Sequence, residues 1–116
     1  MIRREDLLKQ HSHPVKVGLA EPVLKEYLSA LEGWILQDDR LVRSFEFKNF
    51  YQTIAFVNAA TYVIHQEDHH PEMLVTYNRC TIKFYTHSVN DGRGGISEND
   101  FICAAKISSL VGQELH

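Results

Sequence analysis

Residues 49–66 constrain the fold more than any other stretch, because their apolar side chains recur at helical spacing and they contain no Asp, Glu, Lys or Arg. Side chains suited to one helix face recur at Phe50, Ile54, Val57, Thr61 and Ile64. An ordinary surface helix keeps a charged face toward water. We therefore expect one face to pack on a sheet and another, including Thr53 and Ala60, to meet a second copy of the chain. An uncharged face in solvent is the alternative.

Two pairs of short segments flank this helix, and their residues alternate as in β-strands. Strands are predicted at residues 34–37, 41–47, 72–78 and 80–86, and the short turn within each pair makes its strands antiparallel. Further helices are predicted at residues 21–32 and from a cap at Ser97 to an end near Gly112. The order α-β-β-α-β-β-α predicts an α+β fold: a four-stranded antiparallel sheet with three helices packed on one face.

The length of 116 residues suits a single domain, which we place at residues 21–116, behind an N-terminal arm at residues 1–20. Residues 6–9 have the composition of a helical turn, but Pro14 restricts the residue before it to extended conformations. His11 and His13 are assigned to the arm and given no chemical role.

Charge and composition exclude several classes of partner and location. A net charge of −3 and a pI of about 6.1 show no basic excess, so neither nucleic acid nor an anionic membrane surface is expected to bind. No run of 18 apolar residues suggests a membrane span, and the charged start does not resemble a signal peptide. Cys80 and Cys103 form no disulfide framework, which predicts reduced thiols and a cytoplasmic protein.

Four of the seven histidines, His65, His69, His70 and His87, lie close together in the sequence. If the hairpin of strands 72–78 and 80–86 turns at residues 78 and 79, His70 faces His87 at about 5 Å, and a bulge would bring His69 there instead. His65 and His69 share a helix face if the preceding helix reaches residue 68. The histidines are therefore expected to meet at one end of the sheet.

Three interpretations of this cluster remain open on spacing alone. The first is an exposed loop without a chemical role. The second is a zinc site built on His65-x-x-x-His69 and a third histidine. The third is a metal-free pair of imidazoles that act as acid and base. Imidazole suits the last interpretation because its unperturbed pKa lies near neutrality.

The residues of the cluster resemble the signature of the pterin-4a-carbinolamine dehydratase family. That signature is an acidic residue, His or Lys, then His-His-Pro, an aromatic residue, His and Asp at set spacings, and it is met by His65, His69-His70-Pro71, Tyr77, His87 and Asp100. The similarity continues without a break over residues 21–110. It implies the same sheet with three helices. It also implies dehydration of 4a-hydroxytetrahydrobiopterin to quinonoid dihydropterin and water, in tetrahydropterin recycling, without metal or organic cofactor.

The resemblance also implies residue roles. All three of His69, His70 and His87 are assigned as catalytic: His69 and His87 match the proton-transfer histidines, and His70 matches one that orients the substrate and takes part in the reaction. Asp100 matches the aspartate that closes the signature, although capping of the last helix would also explain it.

Two further positions of the signature are assigned to orienting roles. Pro71 is expected to fix the chain as it leaves the histidine pair. His65 stands where the family often has an acid that orients the first histidine of the pair, so this chain lacks that anion. The glycine-rich loop at residues 88–95 is longer than in animal members, which predicts a different pocket rim.

Some family members also dimerise a homeodomain transcription factor through the helical surface that builds their own oligomers. The alternative function is therefore an interaction module with incidental activity. The complete signature favours the enzyme, acting as a homo-oligomer, dimer or tetramer, that binds a pterin.

Overall fold

A computed structural model describes residues 2–111 of the chain. Within them lie four helices and four strands, α1 (Arg4–Leu8), α2 (Glu21–Ser29), β1 (Ile35–Gln37), β2 (Arg40–Glu46), α3 (Phe50–Glu67), β3 (Glu72–Val75), β4 (Arg79–Phe84) and α4 (Glu98–Val111). The strands form one antiparallel sheet in the order β1-β2-β4-β3. The predicted α+β class and four-stranded sheet are confirmed. No helix between residues 2 and 111 combines the length and apolar character needed to cross a bilayer.

The helices cover one face of the sheet because strand side chains alternate between buried and exposed positions. The buried set includes Leu41, Phe45, Cys80, Ile82 and Phe84, while Ser44, Glu46 and Lys83 on the other face are exposed. Aromatic rings join the layers: the centroid of Phe56 in α3 lies 4.6 Å from that of Phe45 in β2. Both cysteines are free and buried in this core.

The prediction of three helices was one too few, because the arm contains α1. A helix of five residues is not stable by itself in water. Its Leu7 is completely buried and belongs to the core cluster, and α1 packs on α4. Burial of this one leucine overcomes the weak local signal. The boundary between arm and domain at residue 20 stays a prediction, and the predicted end near Gly112 lies outside the described residues.

The hairpin of β3 and β4 turns earlier than predicted. The Thr76 amide donates to the Arg79 carbonyl at 2.8 Å, so Tyr77 and Asn78 occupy the turn. Val75 therefore pairs with Cys80 rather than with the predicted Ile82. Because the register differs by two residues, each side chain keeps its predicted face.

Contacts from outside the hairpin explain this register. The hydroxyl of Thr53 donates to the carbonyl of Tyr77 at 3.0 Å, and the amide of Phe47 donates to the carbonyl of Asn78 at 2.9 Å. The predicted pairing of His70 with His87 was wrong as a result. Continued beyond β3, the observed register sets His69 opposite Thr86.

The orientation of α3 also differs from the prediction. Its buried side consists of Thr53, Phe56, Ala60, Ile64 and Glu67, so Thr53 and Ala60 face the core rather than a partner. Small side chains at these two positions let the helix lie close to its neighbours. The exposed side carries Tyr51 and Tyr62, whose side chains are 84% and 66% accessible. The expected uncharged outer face therefore exists, on different residues.

Candidate active site

His69 is turned toward the protein interior by the way α3 ends. Asp68, the C-cap residue, has left-handed φ and ψ values of 49° and 44°, which end the helix before His69. His69 Nε2 then lies 2.5 Å from Asp100 Oδ1. His65 stays on the exposed side of α3. The predicted face shared by His65 and His69 is therefore not formed, because the helix ends at Glu67 and Asp68 turns the chain away from the helix axis.

The Asp100 carboxylate is fully buried and accepts hydrogen bonds from two other groups. Oδ2 accepts from the Thr86 hydroxyl and from the Ser97 amide, both at 2.8 Å. Thr86 and Ser97 also share a hydrogen bond between their hydroxyls at 2.7 Å. Since Thr86 uses its proton on Asp100, Ser97 is the donor in that bond. Together with His69, these donors offset the cost of burying a carboxylate.

The Asp100 side chain therefore has two roles. Through Ser97 it ties down the chain at the start of α4, as the capping interpretation predicted. Through His69 it orients a histidine. Because a carboxylate only accepts, the proton of the shared bond belongs to His69 Nε2, which leaves Nδ1 to give or take a proton.

The His69 ring is fixed in plane as well as in tautomer. It lies parallel to the ring of Phe84, with 4° between the planes and 5.8 Å between the centroids. Its side chain is 13% accessible, and it borders a cleft of about 300 Å³. Larger clefts of about 640 Å³ beside Arg43 and about 490 Å³ beside Tyr85 have no histidine among their described lining residues.

His87 and His70 lie next to this pair and are exposed. His87 directly follows Thr86, and its ring meets the edge of Tyr85 at a centroid distance of 5.0 Å. His70 Nε2 lies 4.0 Å from Asp68 Oδ1. No hydrogen bond between described residues joins His87 to His69 or His70. The fold therefore orients His69 firmly and leaves the other two imidazoles accessible to a ligand.

Pro71 and the loop after His87 frame the same end of the sheet. Pro71 is half-buried between His70 and the first residue of β3. The loop is closed at its base, where Thr86 and Gly95 exchange backbone hydrogen bonds of 2.9 and 3.0 Å. The loop therefore begins and ends beside the residues that hold Asp100.

Sequence reasoning missed two parts of this site. Thr86 binds the Asp100 carboxylate, and its only sequence signal is its position before His87. The arm also reaches the site through Glu67, the last residue of α3. Glu67 accepts from the Ser12 amide at 2.7 Å and from Lys106 Nζ at 2.8 Å, and His11 Nδ1 lies 3.1 Å away. The spacing of these residues in the sequence does not predict the contact.

The buried pair of Glu67 and Lys106 carries a stability prediction. Glu67→Gln is expected to lower the free energy of unfolding by about 3 kcal/mol, because it leaves a buried ammonium without its partner. The two side chains are only 3% and 15% accessible. Lys25→Met, at the exposed pair of Lys25 and Glu21, should cost less than about 1 kcal/mol and is the control. Urea unfolding measures both, and equal losses would contradict the prediction.

The same pair predicts a pH dependence of stability. Burial alone would raise the pKa of Glu67, but hydrogen bonds from Lys106, Ser12 and His11 outweigh it and hold the pKa below its ordinary value of 4.5. Stabilisation is therefore fully present above pH 4.5 and is lost as the pH falls through the lowered pKa. Glu67→Gln should flatten this acid limb in urea unfolding at stepped pH. A limb unchanged by the substitution would show that other carboxylates produce it.

A zinc site was the second interpretation of the histidine cluster. Between residues 2 and 111, no three or more His, Cys, Asp and Glu side chains are grouped as ligands of one ion. With α3 ended before His69, the two histidines of the predicted zinc motif do not lie on one helix face.

Named bacterial proteins share most of this sequence along most of its length. A protein of Bdellovibrio bacteriovorus is 59% identical over 98% of this chain and 95% of its own length, and one of Nitrosomonas eutropha is 52% identical over 84% and 80%. Each bears the name "Putative pterin-4-alpha-carbinolamine dehydratase".

A solved structure gives the same result. The crystal structure of a "transcriptional coactivator/pterin dehydratase" from Brucella melitensis has a TM-score of 0.73 and 35% identity, covering 80% of this chain and 97% of that one. The family profile described as "Pterin 4 alpha carbinolamine dehydratase" matches residues 18–110. The chain belongs to that family.

Proposed function

We propose that this protein dehydrates pterin-4a-carbinolamine, 4a-hydroxytetrahydrobiopterin, to quinonoid dihydropterin and water, in the cytoplasmic recycling of tetrahydropterin. The observation that carries the proposal is the His69–Asp100 pair, held at 2.5 Å in a chain of this family. A buried carboxylate that fixes the tautomer of a partly accessible imidazole is a common arrangement in acid-base catalysis. Names of the relatives support the same activity.

The chemistry needs two proton transfers and no change of oxidation state. Cleavage of the C4a–O bond requires a proton on the departing hydroxyl, and a ring nitrogen must release a proton as the double bond forms. His69 exchanges one of these protons through Nδ1 while Asp100 holds Nε2. His87 exchanges the other, and exchange with solvent resets both imidazoles. His70 orients the substrate, beside Pro71, and His65 has at most an indirect influence.

The direct test is the disappearance of chemically generated 4a-carbinolamine, followed by absorbance with purified protein. The expected result is a rate well above the spontaneous dehydration, proportional to protein concentration. A rate equal to that of buffer with the same mass of albumin would overturn the proposal.

We propose that catalysis requires no metal. Dialysis against a chelator is expected to leave the rate unchanged, because protein imidazoles supply both proton transfers. Elemental analysis of the same samples is the control for metal content. One stoichiometric zinc, with activity lost on chelation and restored only by zinc, would contradict this prediction.

We also propose that the protein self-associates through the exposed side of α3. That side has no charged side chain, and its aromatic surface continues from Phe50 onto the turn of the hairpin, where the ring of Phe50 stacks on that of Tyr77 at 6.4 Å. Such a continuous patch favours a protein interface. The same patch supports the alternative function, an interaction module, which has no requirement for the histidines.

Ala55→Glu is the test of this interface, since Ala55 lies on the exposed side of α3. It is expected to weaken association by several kcal/mol, because it buries an unpaired charge. Val23→Glu, on the exposed side of α2, is the matched control and should leave association unchanged. Sedimentation equilibrium measures both, and a parent protein that is monomeric throughout the micromolar range would contradict the prediction.

A further inference from the structure

The arm lies against the catalytic end of the fold, outside the region that the family profile matches, residues 18–110. Its residues 12–14 form one side of the cleft that borders His69, and Glu67, Asp68 and Asn99 line the rest. At about 300 Å³ the cleft is at the lower limit of ordinary ligand sites. The arm therefore contributes surface to a cleft that reaches His69.

Two separate anchors hold this part of the arm in place. Asn99 in α4 binds the main chain of His13 twice: its amide group donates to the His13 carbonyl at 2.7 Å, and its oxygen accepts from the His13 amide at 3.2 Å. Glu67 at the end of α3 accepts from the Ser12 amide at 2.7 Å. Both anchors act on the backbone, so they fix the path of the arm whatever its side chains are.

The His13 ring is also held in place by two neighbouring acceptors. Nδ1 lies 3.1 Å from the carbonyl of His11, and Nε2 lies 2.7 Å from Glu98 Oε1. Both neighbours are acceptors, so this arrangement favours the protonated ring, in which both nitrogens can donate. The hydrogen bond to the His11 carbonyl, and then that to Glu98, raise the pKa of His13.

We infer that residues 12–14 are a wall on the His69 side of the substrate site that positions the pterin beside His69, and that Asn99 and Glu67 are the positioning residues that hold this wall. This inference rests on the proposed function for the identity of the substrate. A flat bicyclic substrate needs surfaces on both sides to be held against a general acid or base, because misplacement by about 1 Å is costly for proton transfer. The arm supplies a surface that the matched region alone does not contain.

The test releases the wall without altering the arm's sequence or the proton-transfer residues. Asn99→Ala removes both of its side-chain hydrogen bonds to His13. The expected result is a KM for the carbinolamine raised about tenfold, the worth of one or two hydrogen bonds, with kcat within about twofold of the parent. Val17→Ala, at an exposed arm position beyond the anchors, is the matched control and should change neither constant.

A second measurement does not depend on the substrate. The rate at which diethyl pyrocarbonate modifies His69, followed by mass spectrometry of the folded protein, should rise about tenfold in Asn99→Ala and stay constant in Val17→Ala. If Asn99→Ala does not fold, Ser12→Pro releases the other anchor, because proline has no amide to donate to Glu67.

The possible outcomes separate the wall from the proposed function. An unchanged modification rate in both release variants overturns the wall, whether or not the protein is a dehydratase. A faster modification rate with an unchanged KM also overturns it, because the arm then covers His69 without positioning substrate. A parent protein that modifies as expected but neither dehydrates the carbinolamine nor binds 7,8-dihydropterin overturns the proposed function and the assignment of a pterin to this cleft.

Discussion

His69→Ala and His87→Ala are each expected to reduce the rate of carbinolamine dehydration by about 10²–10⁴, the usual contribution of a positioned acid or base. The double variant should lose less than the product of the single losses, because groups that act as a unit are not additive. His65→Ala should have a far smaller effect, since His65 lies on the exposed side of α3. Stopped-flow absorbance measures all four rates.

The pH profile and the folded state provide the controls. The parent rate should follow a bell-shaped curve, which reports one essential acid and one essential base titrating as a coupled set. Circular dichroism must be unchanged in each variant, because a collapsed site would also be inactive. Near-full activity in folded His69→Ala and His87→Ala would show that the cluster is an exposed loop without a catalytic role.

Asp100→Asn is expected to cost about 10²–10⁴ in kcat even if the fold survives. The new amide can donate to His69 Nε2, which moves the imidazole proton to Nδ1 and reverses the tautomer. A comparable change in a Ser-His-Asp triad has an effect at the upper end of this range. Nitrogen-15 NMR of the histidine rings reports the tautomer directly, and a purely structural role of Asp100 would leave it unchanged.

Ser97→Ala is the matched control for Asp100→Asn. It removes the hydroxyl that donates to Thr86 but keeps the Ser97 amide that donates to Asp100 and keeps the contact with His69. We expect about 1 kcal/mol of lost stability and a rate within about tenfold of the parent. An equal loss of kcat in both variants would show that the network, and not the tautomer, limits the reaction.

The sheet and its helices were predictable because local patterns agreed with one another. Residues 49–66 favour a helix by spacing, and Asp38 and Asp39, both with positive φ, form the tight turn expected between β1 and β2. The register of the other hairpin was not predictable. It depends on Thr53 and Phe47, which reach the turn from other elements.

The buried face of α3 could not be predicted from the sequence for a related reason. A helix without charges has no polar side to mark its exposed face, so Thr53 and Ala60 could be assigned to either face. Their burial follows from tertiary packing. The hydroxyl of Thr53 also donates to the carbonyls of Asn49 and Tyr77, which makes its burial acceptable.

The family signature names the candidate site residues without their geometry. It gives the spacing of His69 and Asp100 but not the left-handed turn at Asp68 that brings them together. It also omits Thr86, which binds the carboxylate, and the arm, which lies outside the matched region. Contacts made by the main chain, such as that of the Ser12 amide with Glu67, do not depend on residue type and so cannot be predicted from it.

The backbone bridge between Thr86 and Gly95 separates the loop at residues 88–94 from the His69–Asp100 pair. Both ends are fixed by the two hydrogen bonds of the bridge, and Thr86 is also tied to Asp100, so the length between them does not set the geometry of His69. A change in the length of this loop would therefore alter the rim of the candidate site while the His69–Asp100 pair stays in place. Loop length and the position of His69 can in this way change independently within one small domain.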